Sequence, residues 1–194
     1  MTFDPKPHDR LRDSRRNNAN RVLVSMAILV ALGAVLHRLE MLIPLPAPWI
    51  KLGLANIPTL LAIVFLGTRA AVTVTVLRVI LGSIFGGTFL SPTFFLSLAG
   101  GLAATATMAL IYRFGTGFFS MVGISVAGAY AHTAGVVLCV YWFFVRQTAL
   151  WNVVPLFLFF SLATGILTGI VANTLIDRLA REDVTLKYPF STSD

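Results

Sequence analysis

Apolar residues run along this chain in long blocks, each closed by a short stretch of polar residues, glycine or proline. Six blocks stand out: Arg21–His37, Ile50–Leu66, Ala70–Gly87, Pro92–Tyr112, Ser120–Phe144 and Asn152–Ile176. Each is near the ~17–25 residues that cross the hydrocarbon core as a helix. The breaks fall at Pro44, Pro46 and Pro48, at Gly67-Thr68-Arg69, from Gly86 to Pro92, from Gly115 to Gly117 and from Arg146 to Trp151. The two shortest blocks, the first and second, require little tilt or local thinning of the bilayer. The pattern predicts an all-α integral membrane bundle of about six transmembrane helices over residues 21–176. A basic polar tail (1–20) precedes it and a polar tail (177–194) follows. The first block reads as a retained helix and not a cleaved signal. A polar stretch precedes it, and no small-x-small cleavage site comes before His37-Arg38-Leu39-Glu40.

Composition strengthens this picture. Hydrophobic residues make up 57% and charged residues 12% of 194, where a soluble domain carries roughly 25% charged. The net charge of +7 does not indicate nucleic-acid binding, because Lys6, Arg10, Arg12, Arg15, Arg16 and Arg21 cluster ahead of the first apolar block. Basic residues beside a span set topology and contact lipid headgroups. With the N-terminus inside, eleven of the fifteen basic residues are cytoplasmic and only Arg38, Lys51 and Arg146 are external. Both termini are therefore expected in the cytoplasm. Trp49, Trp142 and Trp151 then form an external aromatic belt. Cys139 is the single cysteine, which excludes disulfides and cysteine-based zinc sites.

Small residues one turn apart indicate how the helices approach each other. Ala27 and Ala31, Gly82 and Gly86, Ala127 and Ala131, and Gly165 and Gly169 all have this spacing, which permits close packing in lipid.

Candidate chemistry is sparse. Between Asp13 and Asp177 the only acid is Glu40, expected in the first external loop. With no mid-membrane carboxylate to relay protons or bind sodium, and no ATP-binding glycine-rich loop, the chain is not expected to energise uphill transport alone. Lys51, Asn56, Arg78, His132 and Asn173 are the polar groups in or beside the blocks. Arg78 falls near the midplane, where a cation must face the bundle interior. It either bonds carbonyls near Gly86-Gly87 or reaches Glu40, or it forms an anion site. His132 shares a face with Gly128 and Gly135 and reads as a helix–helix hydrogen bond or a ligand contact. Asn56 satisfies a local break made by Pro58 or lines a cavity; Asn173 reads as structural. Lys51, Arg78 and His132 together predict a positively biased, outward-opening interior suited to an anionic or acceptor-rich amphiphile. The Gly86–Pro92 connection is expected to be flexible enough to close over it. No cofactor or metal site is expected.

Lys51-Leu-Gly-Leu-Ala-Asn56-Ile, Leu77-Arg78-Val-Ile-Leu-Gly82, Ser97-Leu-Ala-Gly-Gly101 and Val126-Ala-Gly-Ala-Tyr-Ala-His132 resemble a bacterial family. It is the Gx transporter family, also named heptaprenyl diphosphate synthase component I, and the resemblance covers roughly residues 22–176. Its architecture resembles the substrate-binding S component of energy-coupling factor (ECF) transporters. That likeness implies a multi-pass protein of the bacterial cytoplasmic membrane, in contact with lipid, that captures a small solute from outside. Separately encoded membrane scaffold and ATPase subunits would supply the energy. Ala27-Ile-Leu-Val-Ala31 resembles the patch by which such a subunit docks its scaffold. The expected substrate-binding residues are Lys51, Asn56, Arg78 and His132. The family's other name implies a role in polyprenyl diphosphate synthesis. Such synthases hold Mg²⁺ on aspartate-rich motifs, and none is present here, so that role would be a non-catalytic membrane subunit.

Overall fold

Gly67 adopts φ 85°, a conformation that side chains other than glycine's rarely take. It turns one apolar run into two helices. In the computed structural model, which describes residues 7–42, 53–115, 118–143 and 150–182, six helices follow in order. They are α1 (Pro7–Leu42), α2 (Asn56–Leu66), α3 (Thr68–Phe85), α4 (Pro92–Gly115), α5 (Met121–Phe143) and α6 (Leu150–Glu182). Among the described residues there is no strand. Five of the helices are long and apolar enough to cross a membrane.

The exception is α2. Its 11 residues span about 16 Å at helical rise, roughly half of a ~30 Å hydrocarbon core. The apolar run from Ile50 predicts a full span, but the described helix begins at Asn56. Gly53 turns the chain with φ 70°, and the Asn56 and Ile57 amides donate to the Gly53 and Leu54 carbonyls. Pro58 lies in the first turn of α2, where its missing N–H has no intrahelical partner to lose. It therefore makes no break for Asn56 to repair. Helix α2 contacts α1, α3, α4 and α6, and Asn56 through Ile63 are all buried. A helix apolar on every side belongs in such a central position.

The remaining helices pack around it. Helices α1 and α3 run in the same direction, since Gly33 lies against Arg78, Gly82 against His37 and Gly86 against Arg38. Helix α3 packs on α4, α4 on α5 and α5 on α6, each pair antiparallel. This alternation brings Arg69, Arg113, Arg178 and Arg181 to the end of the bundle where α1 begins.

Between spans in lipid no hydrophobic drive favours association, so close contact and interhelical hydrogen bonds must hold the bundle. Both occur. A β-carbon on Gly165 or Gly169 of α6 would stand 2.8 Å and 2.7 Å from Val126 Cα and Val122 Cα of α5. The helices touch backbone to backbone there. Ser125 bonds Thr168 across the same pair at 2.9 Å, and Thr133 bonds Ser161. In the other half, Thr59, Thr75 and Thr105 link α2, α3 and α4 through hydroxyl contacts of 3.2 Å and 2.8 Å. Thr105 donates within its own helix to the Gly101 carbonyl. All three threonines are fully buried.

The 86–91 connection carries turn hydrogen bonds of its own. The Thr88 amide donates to the Ser83 carbonyl at 2.9 Å and the Ser91 amide to Thr88 at 3.0 Å. Phe89 meets Phe94 edge to face at 5.2 Å.

Gly169→Val places a side chain where α5 backbone already lies and is expected to destabilise the protein by about 1–3 kcal/mol, the usual range for overpacking. Thr105→Val removes one interhelical hydrogen bond and should cost less, about 0.6 kcal/mol. Unfolding of the purified protein in mixed micelles, with the lipid-facing Leu167→Val as control, measures both.

Candidate functional site

A continuous helix past His37 changes what the end of α1 can do. Val30, Gly33, Ala34, His37 and Glu40 are spaced three and four residues apart and are all buried, so they form one inward face. Glu40, expected in an external loop, is instead a helical residue only 5% exposed. It accepts a hydrogen bond from the Leu54 amide at the approach to α2. The bundle interior therefore holds a carboxylate after all.

Glu40 lines a small cavity together with His37 from α1, Gly53, Ala55 and Asn56 from the start of α2, Arg78 and Val79 from α3, Ser97 from α4 and His132 from α5. Five of the six helices reach it or its border. Its free volume is about 10 Å³, room for roughly one water. The described form is closed down around its polar groups.

Arg78 is the most constrained of them. It is 3% exposed and its Nη2 donates to Asn56 Oδ1 at 3.2 Å. Its Nε is buried and finds no hydrogen-bond partner among the described residues. Glu40 is near enough for its charge to act on the guanidinium. Of the two structural readings open in sequence, attraction to Glu40 is the one this geometry supports; the bonded partner is the Asn56 amide, with no bond to carbonyls at Gly86-Gly87. A central cation costs about 2.5–3.5 kcal/mol on insertion scales, and a neighbouring carboxylate and amide offset part of that.

Glycines make room for the basic groups. A β-carbon on Gly33 would stand 3.0 Å from Arg78 Cδ, one on Gly82 2.7 Å from His37 Cδ2, and one on Gly100 2.8 Å from both Cε1 and Nε2 of His132. Each basic side chain thus lies directly on a neighbouring helix, in a seat that only glycine leaves open. On α5, Gly128 and Gly135 meet Met108 and the Ala99 carbonyl of α4, so the shared face of Gly128, His132 and Gly135 is the α4 contact.

Of the residues expected at the site from sequence, Asn56, Arg78 and His132 come together in this cavity. Lys51 lies outside the described residues. Ala27 and Ala31 are elsewhere, on the exposed face of α1 beside exposed Val24, Ile28 and Val35. Asn173 donates to Asp177 at 3.1 Å near the end of α6, away from the cavity. His37 was not singled out from sequence, and Glu40 was read only as an external-loop residue that Arg78 could reach; Gly82 was read only as half of a small-residue pair, Ser97 and Gly100 only within a family-like stretch, and Gly33 not at all. The three- and four-residue spacing from Val30 to Glu40 is the signal that points to the first two. Among the described residues no cluster of His, Cys, Asp and Glu could hold a metal ion.

With only three histidines in the chain, imidazole NMR resonances report the seats directly. Gly100→Ala is expected to move the His132 resonances and Gly82→Ala those of His37, each leaving His8 in place. Spectra unchanged by both substitutions would contradict the seating.

Comparison with known proteins adds the family. No curated protein matches the chain. Among solved structures, the fold matches one described as "Structure and mechanism of the S component of a bacterial ECF transporter", with a TM-score of 0.68 and 22% identity over 84% of this chain and 98% of that one. At that identity the likeness is one of fold: this bundle has the architecture of an ECF S component. The sequence profile described as heptaprenyl diphosphate synthase component I matches residues 29–175. That stretch includes all six apolar blocks in whole or in large part, and the chain belongs to the heptaprenyl diphosphate synthase component I family, the Gx transporter family.

Proposed function

We propose that this protein is the solute-binding membrane subunit of an uptake system, taking a small organic solute into the cavity around Arg78. It resides in the bacterial cytoplasmic membrane with both termini inside. Asn56, Arg78 and His132 contact the solute, with Lys51 as a further candidate. Separately encoded scaffold and ATPase subunits supply the energy, and the scaffold docks on the exposed Ala27–Ala31 face of α1.

The observation that carries this reading is the buried Arg78 guanidinium, held by Asn56 in a cavity lined from five helices or their borders. A purely structural arginine would have its donors satisfied, yet Nε is buried without a partner among the described residues. The S-component fold supports the transport reading. The basic residues gathered at one end of the bundle support the orientation.

The family description favours a second reading, a non-catalytic membrane subunit of polyprenyl diphosphate synthesis, with the prenyl chain among the helices and its diphosphate at Arg78. Glu40 beside Arg78 counts against it, because a diphosphate would meet a buried like charge.

Native mass spectrometry of gently extracted protein separates these readings. A retained small solute, lost in Arg78→Ala, and co-extracted scaffold and ATPase chains, lost in Ala27→Leu/Ala31→Leu, are the expected results. A retained prenyl diphosphate with a soluble prenyl synthase, and no ATPase, would establish the second reading instead. For orientation, single cysteines placed at Asp13 and Asp183 in a Cys139→Ala background should react with impermeant maleimide only after the membrane is opened.

A further inference from the structure

The solute's charge class follows from what Glu40 does to the cavity. We infer that the site takes a net-neutral, amino-acid-like zwitterion, its carboxylate on Arg78 and its ammonium toward Glu40, and not an anion. The inference rests on the proposed solute-binding role of this cavity and deepens it.

Arg78 supplies one positive charge and Glu40 the opposing carboxylate; Asn56, Ser97 and two histidines are the other polar residues of the described lining. Arg78 and Glu40 are both almost fully withdrawn from solvent, where charge–charge interactions are strong and weakly screened. A ligand carrying only negative charge gains Arg78 and is repelled by Glu40. A cation alone suffers the reverse. A ligand with both charges meets an opposite partner at each end.

The donors and acceptors agree with the charges. Arg78 Nε points to no protein acceptor among the described residues while Nη2 is engaged by Asn56. A carboxylate accepting from Nε completes the fork for which guanidinium is suited. Glu40 remains anchored at one oxygen by the Leu54 amide, so its position is fixed relative to Arg78 by the turn into α2. The free volume of about 10 Å³ requires the helices to separate for loading.

The test uses the full chain in lipid nanodiscs, with thermal unfolding and equilibrium binding as readouts. The probes are the twenty amino acids, each with its deaminated acid and decarboxylated amine, and inorganic pyrophosphate. At least one amino acid should raise the unfolding midpoint and bind at least tenfold more tightly than either of its one-charge analogues. Glu40→Gln keeps an acceptor for the Leu54 amide; it should weaken amino-acid binding at least tenfold and leave the deaminated acid equal or tighter. Arg78→Gln should weaken the acid and spare the amine. Circular dichroism and the unbound unfolding midpoint verify that both variants fold. Pyrophosphate binding above every amino acid, or an amino acid whose affinity is unchanged by Glu40→Gln, overturns the inference. So does a panel in which no zwitterion binds. In that last case, a solute retained in native mass spectra and lost in Arg78→Ala shows that the binding role stands and only the zwitterion class has failed.

Discussion

A guanidinium in the middle of a lipid-embedded bundle is the constraint around which this structure is arranged. Arg78 cannot reach water, so its surroundings must supply what water would: an amide oxygen from Asn56 and the charge of Glu40. Those two residues come from opposite sides of the α1–α2 connection. Arg78 therefore draws on both α1 and the start of α2. The short central helix starts at Asn56, directly after the turn at Gly53, with its first residue bonded to Arg78 and its approach to Glu40.

The rest of the bundle holds by contacts suited to lipid. Glycines in α6 bring its backbone against α5, and a buried run of threonine hydroxyls joins α2, α3 and α4. Hydroxyls bonded to each other and to carbonyls carry no net charge. Within the described helices, the polar interior thus divides into a neutral set that binds helices together and a charged set, at the cavity, that is only partly satisfied by protein. That division supports the ligand-binding role proposed for the cavity.

Much of the fold was legible in sequence because long apolar runs and glycine or proline breaks are local signals. The breaks at Gly67, Gly86–Pro92 and Gly115 all fall where helices end or begin. Helix α2 was not delimited correctly, since Ile50–Leu66 is apolar apart from Lys51, Asn56 and Thr59 and the turn at Gly53 leaves no mark in hydropathy. The site was legible in part. Arg78, Asn56 and His132 are conspicuous as polar residues in apolar runs. Glu40 was hidden by its place at the end of a run, where loop and helix look alike. The pairing of Gly33 with Arg78, Gly82 with His37 and Gly100 with His132 joins residues far apart in sequence. Nothing in the local pattern of either partner announces it.

Those glycine seats bear on how such a cavity can change over time. A larger residue at Gly82 or Gly100 would push on His37 or His132, and one at Gly33 would crowd Arg78, so change at these positions moves a basic group. Asn56 and Glu40 are tied to Arg78 and to the turn. Ala55, Val79 and Ser97 are the small neutral side chains of the lining. Divergence toward new solutes in related proteins would then proceed through those small neutral side chains, with the electrostatic frame inherited intact.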